Sequence, residues 1–307
     1  MIRLSDSALN TLHTCERKFQ LERLLVSEFE KKDYPATVLG KAYGAGCQSY
    51  LAYQDKERAI FDLYMAYYPV EEDNIRTEEV AISMLLASIS TMDNILLDWE
   101  VLVYNGKPAI ELSFRLNIDS TYYFVGYIDV VLQNRWNNRC AVLDVKSTSL
   151  KLHDLSPLYQ NSGQLLGYSI AIDALAGEDK SEYDVLYLVG QLGSGNGFSP
   201  NIKFLTFPKT LQDRLNWFIT LTLDVEHLKN MRENNVFPLR GASCLQYMRP
   251  CVHLGTCNLH GLDEYKEEEE DTIEYDFIYD LNDVIEDHIK RITQNDGYSI
   301  AVQDDIL

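Results

Sequence analysis

Hydrophobic positions recur at helical spacing along the first hundred residues. From Leu4 to about Val26, Leu9, Leu12, Cys15 or Glu16, and Phe19 share one stripe, and Ser5 or Asp6 can cap it. Further helical stretches are expected from about Ala36 to Tyr68, ending at Pro69, and from about Ile75 to Leu97. Near Trp99 the period shortens. ELSFRLNI, YYFVGYIDVVL and CAVLDVK are rich in β-branched and aromatic residues and predict three consecutive strands, the last two joined as a hairpin at Asn137–Asn138. Helix returns over Ser156 to Ala176, followed by the strands YDVLYLVG and IKFLTF. Pro208 is expected to open a long helix reaching about Asn235, because a first-turn proline loses no hydrogen bond. This order predicts an α/β core behind a helical N-terminal part.

Three polar residues interrupt the buried-looking strands. GYIDVV places Asp129 on one strand, and VLDVKST places Asp144 and Lys146 two apart, hence on one face, of the next. D-x-K on a strand is often a salt bridge on a solvated face. Here both acids follow apolar runs, where a charge without a partner is costly. Two carboxylates can hold Mg²⁺ or Mn²⁺. Such an ion polarises a phosphate and acidifies an attacking water, while a lysine orients that water or stabilises developing charge.

The succession GYIDVV, VLDVKST and QLLGYSIA resembles the motifs of the RecB-like branch of the PD-(D/E)XK nucleases, which includes AddB-type and CRISPR-associated adaptation nucleases and phage exonucleases. The opening LSDSALNTLHTCERKF is similar to the first helix of that family. The resemblance implies a restriction-endonuclease-like α/β fold, with a central mixed sheet flanked by helices. It implies Asp129, Asp144 and the Val145 carbonyl as ligands of Mg²⁺ or Mn²⁺, and Lys146 acting on the water. Gln164 and Tyr168, one helical turn apart, would hold DNA or orient the lysine. Glu111 falls where many members carry an acid, as a further ligand or as a surface glutamate. One position departs from the pattern: Gly44 in LGKAYGAGCQ stands where many members place a histidine ligand.

The six cysteines change the picture further. In a reducing cytosol a disulfide framework is not expected. Cys244, Cys251 and Cys257 together with the distant Cys15 resemble the 4Fe–4S arrangement of AddB-type and CRISPR-associated members; zinc, or no metal, remains the alternative reading. Cys47 and Cys140 read as small core residues.

The formal charge of −20 argues against nucleic acid until it is located. Residues 263–307 carry 16 acids against 3 bases, so most of the excess is local. This acidic tail reads as a solvated segment, as a partner-binding segment presenting Tyr275, Phe277, Ile278, Leu281 and Ile285, or as an occupant of the chain's own groove. The expected organisation is a helical part (1–98), a nuclease core (99–240), a cysteine-rich segment (241–262) and the tail (263–307). No apolar stretch is expected to span a bilayer, and no signal peptide is visible, so the expected compartment is the cytoplasm, a host's if the source is a phage. The expected function is a metal-dependent DNA nuclease acting from ends or single strands, in recombination, repair or phage DNA metabolism. The rival is an inactive nuclease-fold subunit that binds DNA or serves as a scaffold.

Overall fold

The change of period near Trp99 separates helices from strands in the computed structural model, which describes residues 1–25, 33–70, 73, 75–176, 182–192, 199–246, 249–258, 265 and 273–296. A short strand, β1 (Ile2–Leu4), precedes α1 (Asp6–Thr14), α2 (Glu16–Phe19), α3 (Pro35–Tyr53), α4 (Lys56–Ala66) and α5 (Glu78–Asp98). The first expected helix is therefore broken. Cys15 adopts extended backbone between α1 and α2, and a π-helical turn, Gln20–Leu24, follows. The second breaks at Gln54, whose φ of 53° ends α3, after which Asp55 accepts from the Arg58 N–H and caps α4. Helix α5 corrects an expectation. Its 21 residues include a window of mean hydropathy 1.7, long and apolar enough to cross a bilayer. In the fold, Ala81, Met84, Leu85, Met92 and Ile95 of this helix are instead part of the hydrophobic core.

The strands are β2 (Trp99–Val101), β3 (Val103–Tyr104), β4 (Lys107–Pro108), β5 (Ile110–Asn117), β6 (Tyr122–Asn134) and β7 (Cys140–Thr148). Then come α6 (Leu152–Gln160), α7 (Gly163–Tyr168), α8 (Ile170–Ala176), β8 (Glu182–Gln191), β9 (Asn201–Thr210) and α9 (Leu211–Glu233). Two-residue strands β10 (Leu245–Gln246) and β11 (Arg249–Pro250) form a small hairpin, and β12 (Phe277–Asp280) leads into α10 (Leu281–Asp296). Pro208 does not open a helix. It lies in β9, opposite Asp184, and the helix begins after Thr210. The reason is a capping box: the Asp213 N–H donates to Thr210 Oγ1, and the Thr210 N–H donates to Asp213 Oδ2 at 2.8 Å.

The chain divides into two compact units, Met1–Lys31 with Phe114–Gly126 and Leu215–His288, and Lys32–Ser113 with Tyr127–Arg214 and Ile289–Leu307. In the second, β6 pairs antiparallel with β2 and β7, β7 pairs parallel with β8, and β8 pairs antiparallel with β9. The mixed sheet follows from the connections. The two-ended hairpin gives an antiparallel pair, with Asn138 in the left-handed region at φ 58°, while a parallel pair needs the helical crossover that α6–α8 provide. Leu143 and Val145 of β7 join Val130 and Leu132 of β6 in a core with residues of α3, α4 and α5.

In the first unit, β1 pairs parallel with the start of β6, and β12 pairs parallel with β5 from Phe277↔Phe114 to Asp280↔Asn117. The reading of 263–307 as a wholly solvated tail therefore does not hold for 277–296. Alternation through FIYD makes a strand, and Leu281, His288 and Ile292 give α10 a buried stripe. Most of 263–272 and all of 297–307 lie outside the described residues.

Candidate active site

Strand β7 sets the site. Alternation turns Leu143 and Val145 into the core and leaves Asp144 and Lys146 together on the opposite face. Asp144 is 1% exposed. Lys146 Nζ donates to its Oδ1 at 2.9 Å and lies 2.7 Å from its Oδ2. The β6–β7 ladder runs from Gln133↔Cys140 to Val130↔Leu143, so Asp129 stands at the position next after it. There its Oδ2 accepts the Val145 N–H at 2.9 Å, which joins the two acid-bearing strands.

The electrostatics are those of an anion pair short of positive charge. Burial, and then the neighbouring Asp144, push Asp129 up to about 7. Burial also raises Asp144, against the pull of Lys146. Burial alone would lower Lys146, but Asp144 holds it above the usual lysine range. One ammonium thus serves two carboxylates, Asp144 buried and Asp129 half-buried. Asp144 Oδ2 is buried and meets the Lys146 ammonium at 2.7 Å; a carboxylate oxygen has a further lone pair that a cation would fill. Among the described residues no three His, Cys, Asp or Glu side chains are gathered as ligands of one ion.

The crossover brings in more of the expected residues. Ser162 caps α7 by accepting from the Gln164 N–H. Gln164 Nε2 donates to the Tyr168 hydroxyl at 3.2 Å across one helical turn. Burial pushes Tyr168 up to about 12, and the charges of Asp144, Lys146 and Asp129 act on it, so the pair lies beside the acids. Glu111 is near enough for its charge to raise Asp129 further, and it does not complete a three-acid group. Gly44 leaves open space: an added Cβ would meet no atom within 4 Å.

Two residues of this neighbourhood carry no signal in the sequence. Tyr159 of α6 packs on Tyr187 with tilted rings, 4.7 Å between centroids, and Tyr187 is the register partner of Asp144. The charges of Lys146 and Asp144 act on the Tyr159 hydroxyl. Gln48 of α3 donates to Glu111 at 2.6 Å. Neither belongs to a short motif, and the second contact joins residues far apart in the chain.

In the other unit, Cys15, Cys244, Cys251 and Cys257 line one cavity with Lys18, Arg240 and His253, and all are free thiols. The break at Cys15 separates α1 from α2 there. Arg17 donates to the Cys257 carbonyl, and Arg240 grips Glu16 through two hydrogen bonds, holding α2 to the cysteine segment. The Cys251 N–H donates to the Cys244 carbonyl and the Cys257 N–H to the His253 carbonyl, which folds the segment into turns. Burial raises the Cys257 thiol, and Cys15, Cys251 and Cys244 add to the effect. The four thiols are not closed on a single-ion site. Cys47 and Cys140 are buried in the core.

Residues 3–258 match the family model of the PD-(D/E)XK nuclease superfamily. The chain belongs to that superfamily, which implies a nuclease that binds DNA and hydrolyses phosphodiesters; members of the superfamily typically use divalent metals. No curated protein matches the sequence.

Proposed function

We propose that this protein is a divalent-metal-dependent deoxyribonuclease that degrades DNA from ends, working in a reducing cytoplasm. The observation that carries the reading is the buried Asp144 carboxylate, paired with Lys146 Nζ at 2.7 Å from its Oδ2, with a second acid, Asp129, tied to the same strand through the Val145 N–H. Asp129, Asp144 and the Val145 carbonyl would hold Mg²⁺ or Mn²⁺, with Glu111 on the open side. Bound there, the cation would polarise the scissile phosphate and acidify the attacking water. Lys146 positions that water and stabilises the charge that develops on the phosphate. Asp144 keeps Lys146 protonated and in place. Gln164 and Tyr168 contact the DNA backbone or fix the lysine from the crossover side. The preference for ends rests on the resemblance to RecB-like nucleases.

The four cysteines hold a 4Fe–4S cluster in this reading. They share one cavity, none is oxidised, and a cubane needs ligands spread around it rather than converging on a point. Anaerobic purification should give iron and acid-labile sulfide in equal amounts, lost in Cys251→Ser; protein carrying zinc instead would contradict it.

The nuclease reading is tested by cleavage assays on linear single- and double-stranded DNA with Asp144→Ala and Lys146→Ala. Each should lose at least about 10²-fold in rate with the fold intact. Variants that cut as well as wild type would end the assignment. The open space at Gly44 favours one second reading, a site lacking a ligand and hence inactive. Metal-dependent cleavage by wild type decides against it.

A further inference from the structure

Helix α3 carries Gly40, Gly44 and Gln48 at four-residue spacing, hence along one stripe. A Cβ at Gly40 would lie 3.2 Å from Ser147 Oγ on β7, one at Gly44 would meet nothing, and Gln48 reaches Glu111. The stripe therefore runs from the strand of Asp144 and Lys146 to Glu111, with a gap between.

Glu111 is itself unusual. It is the second residue of β5 and has a φ of 52°, in the left-handed region that side-chain-bearing residues rarely enter. Such a backbone persists only where its surroundings over-determine it. Gln48 Nε2 donates to its carboxylate at 2.6 Å. Three other acids near α3, Asp93, Asp62 and Asp33, are engaged by Tyr50, Ser49 and Lys41 respectively. The Val131 N–H donates to the Ala109 carbonyl at 2.9 Å and β5 is the sheet neighbour of β6, which puts Glu111 on the strand beside that of Asp129, where its charge also acts on Asp129.

We infer that Gln48 is a positioning residue, whose side-chain amide clamps Glu111 in its left-handed position so that a third carboxylate faces the Asp129–Asp144 pocket. The inference rests on the metal-dependent reading of that pocket. Gln48 needs no contact with metal or DNA; it acts through Glu111, on the open side of the pocket where a cation and its waters would enter. Outer partners of this kind orient ligands and set affinity.

The test is Mn²⁺ binding to metal-free protein by calorimetry, without DNA, in wild type, Gln48→Leu, Gln48→Glu, Glu111→Ala and the Gln48→Leu/Glu111→Ala double variant. Melting curves taken alongside report folding. Gln48→Leu should weaken Mn²⁺ binding by about 10- to 100-fold. Gln48→Glu, equal in size but with no donor, should weaken it at least as much, and it carries the test if Gln48→Leu fails to fold. In the Glu111→Ala background, removing Gln48 should have no further effect. Wild-type affinity in folded Gln48→Leu or Gln48→Glu would overturn the clamp alone, as would an equal loss with and without Glu111. Absence of Mn²⁺ binding in wild type, or binding indifferent to Asp144→Ala, would overturn the metal reading and the clamp with it.

Discussion

At the residue scale, the clearest electrostatic prediction concerns Asp173, outside the candidate site. It takes two arginines, with Arg214 Nη2 at 2.8 Å and Arg291 Nη2 at 3.2 Å from its Oδ2, and it accepts from the Tyr183 hydroxyl at 2.8 Å. Burial would raise its pKa, but Arg214 and then Arg291 outweigh that and bring it to about 2. The folded-state value lies below the usual carboxylate value of 3.8. Its stabilisation is therefore full at neutral pH and lost as the pH falls from about 4 to about 2, amounting to about 2 kcal/mol. Asp173→Asn should lower stability at pH 7 by at least about 2 kcal/mol and flatten the acid limb of the unfolding curve. Chemical denaturation across that range checks both. Asp129, Asp144 and Lys146 were legible in the sequence, because alternation and a short hairpin place side chains without knowledge of the rest of the fold. Gln48, Tyr159 and the left-handed Glu111 were not, since each depends on which distant element packs there or on one backbone angle.

At the scale of elements, α3 makes an opposed pair of predictions. A Cβ at Gly46 would lie 2.9 Å from Leu85 Cδ2 of α5 and 3.1 Å from Leu63 Cβ of α4, so Gly46→Ala should push the helices apart and cost about 1–3 kcal/mol. Gly44, two residues earlier, has open space, so Gly44→Ala should add up to about 1 kcal/mol through helix propensity alone. Thermal unfolding of the two variants should move in opposite directions. Element boundaries were harder to read than element types. The first helix was expected unbroken, yet it parts at Cys15, whose extended backbone helps carry it to the other cysteines. Pro208 drew the start of α9 forward by three residues, although T-L-Q-D at 210–213 spells the capping box that marks its true start. An edge-strand proline keeps no ladder hydrogen bond waiting, so β9 accommodates it.

At the scale of the molecule, the acidic C-terminal segment is less separate than its composition suggests. Net charge describes the solvent side of α10, while Leu281, His288, Arg291 and Ile292 are buried, and Arg291 joins the Asp173 network. Arg291→Ala should therefore destabilise the protein rather than release a solvated tail, and a lowered midpoint of denaturation would register it. Class and core order were legible because strand and helix periods differ so clearly on either side of Trp99. The pairing of β12 with β5 was not, because the alternation of a four-residue strand does not say which distant strand it will join.

In the proposed function the buried Asp144, paired with a half-buried Lys146 and joined by Asp129, performs metal-dependent DNA hydrolysis. The most direct measurement is degradation of end-labelled linear DNA by anaerobically purified protein, with Mg²⁺ or Mn²⁺ and with chelator, beside Asp144→Ala. The account predicts shortening from the ends that requires both the cation and Asp144. Cleavage that persists in chelator or in Asp144→Ala, or a folded, DNA-binding wild type that never cuts, would contradict it.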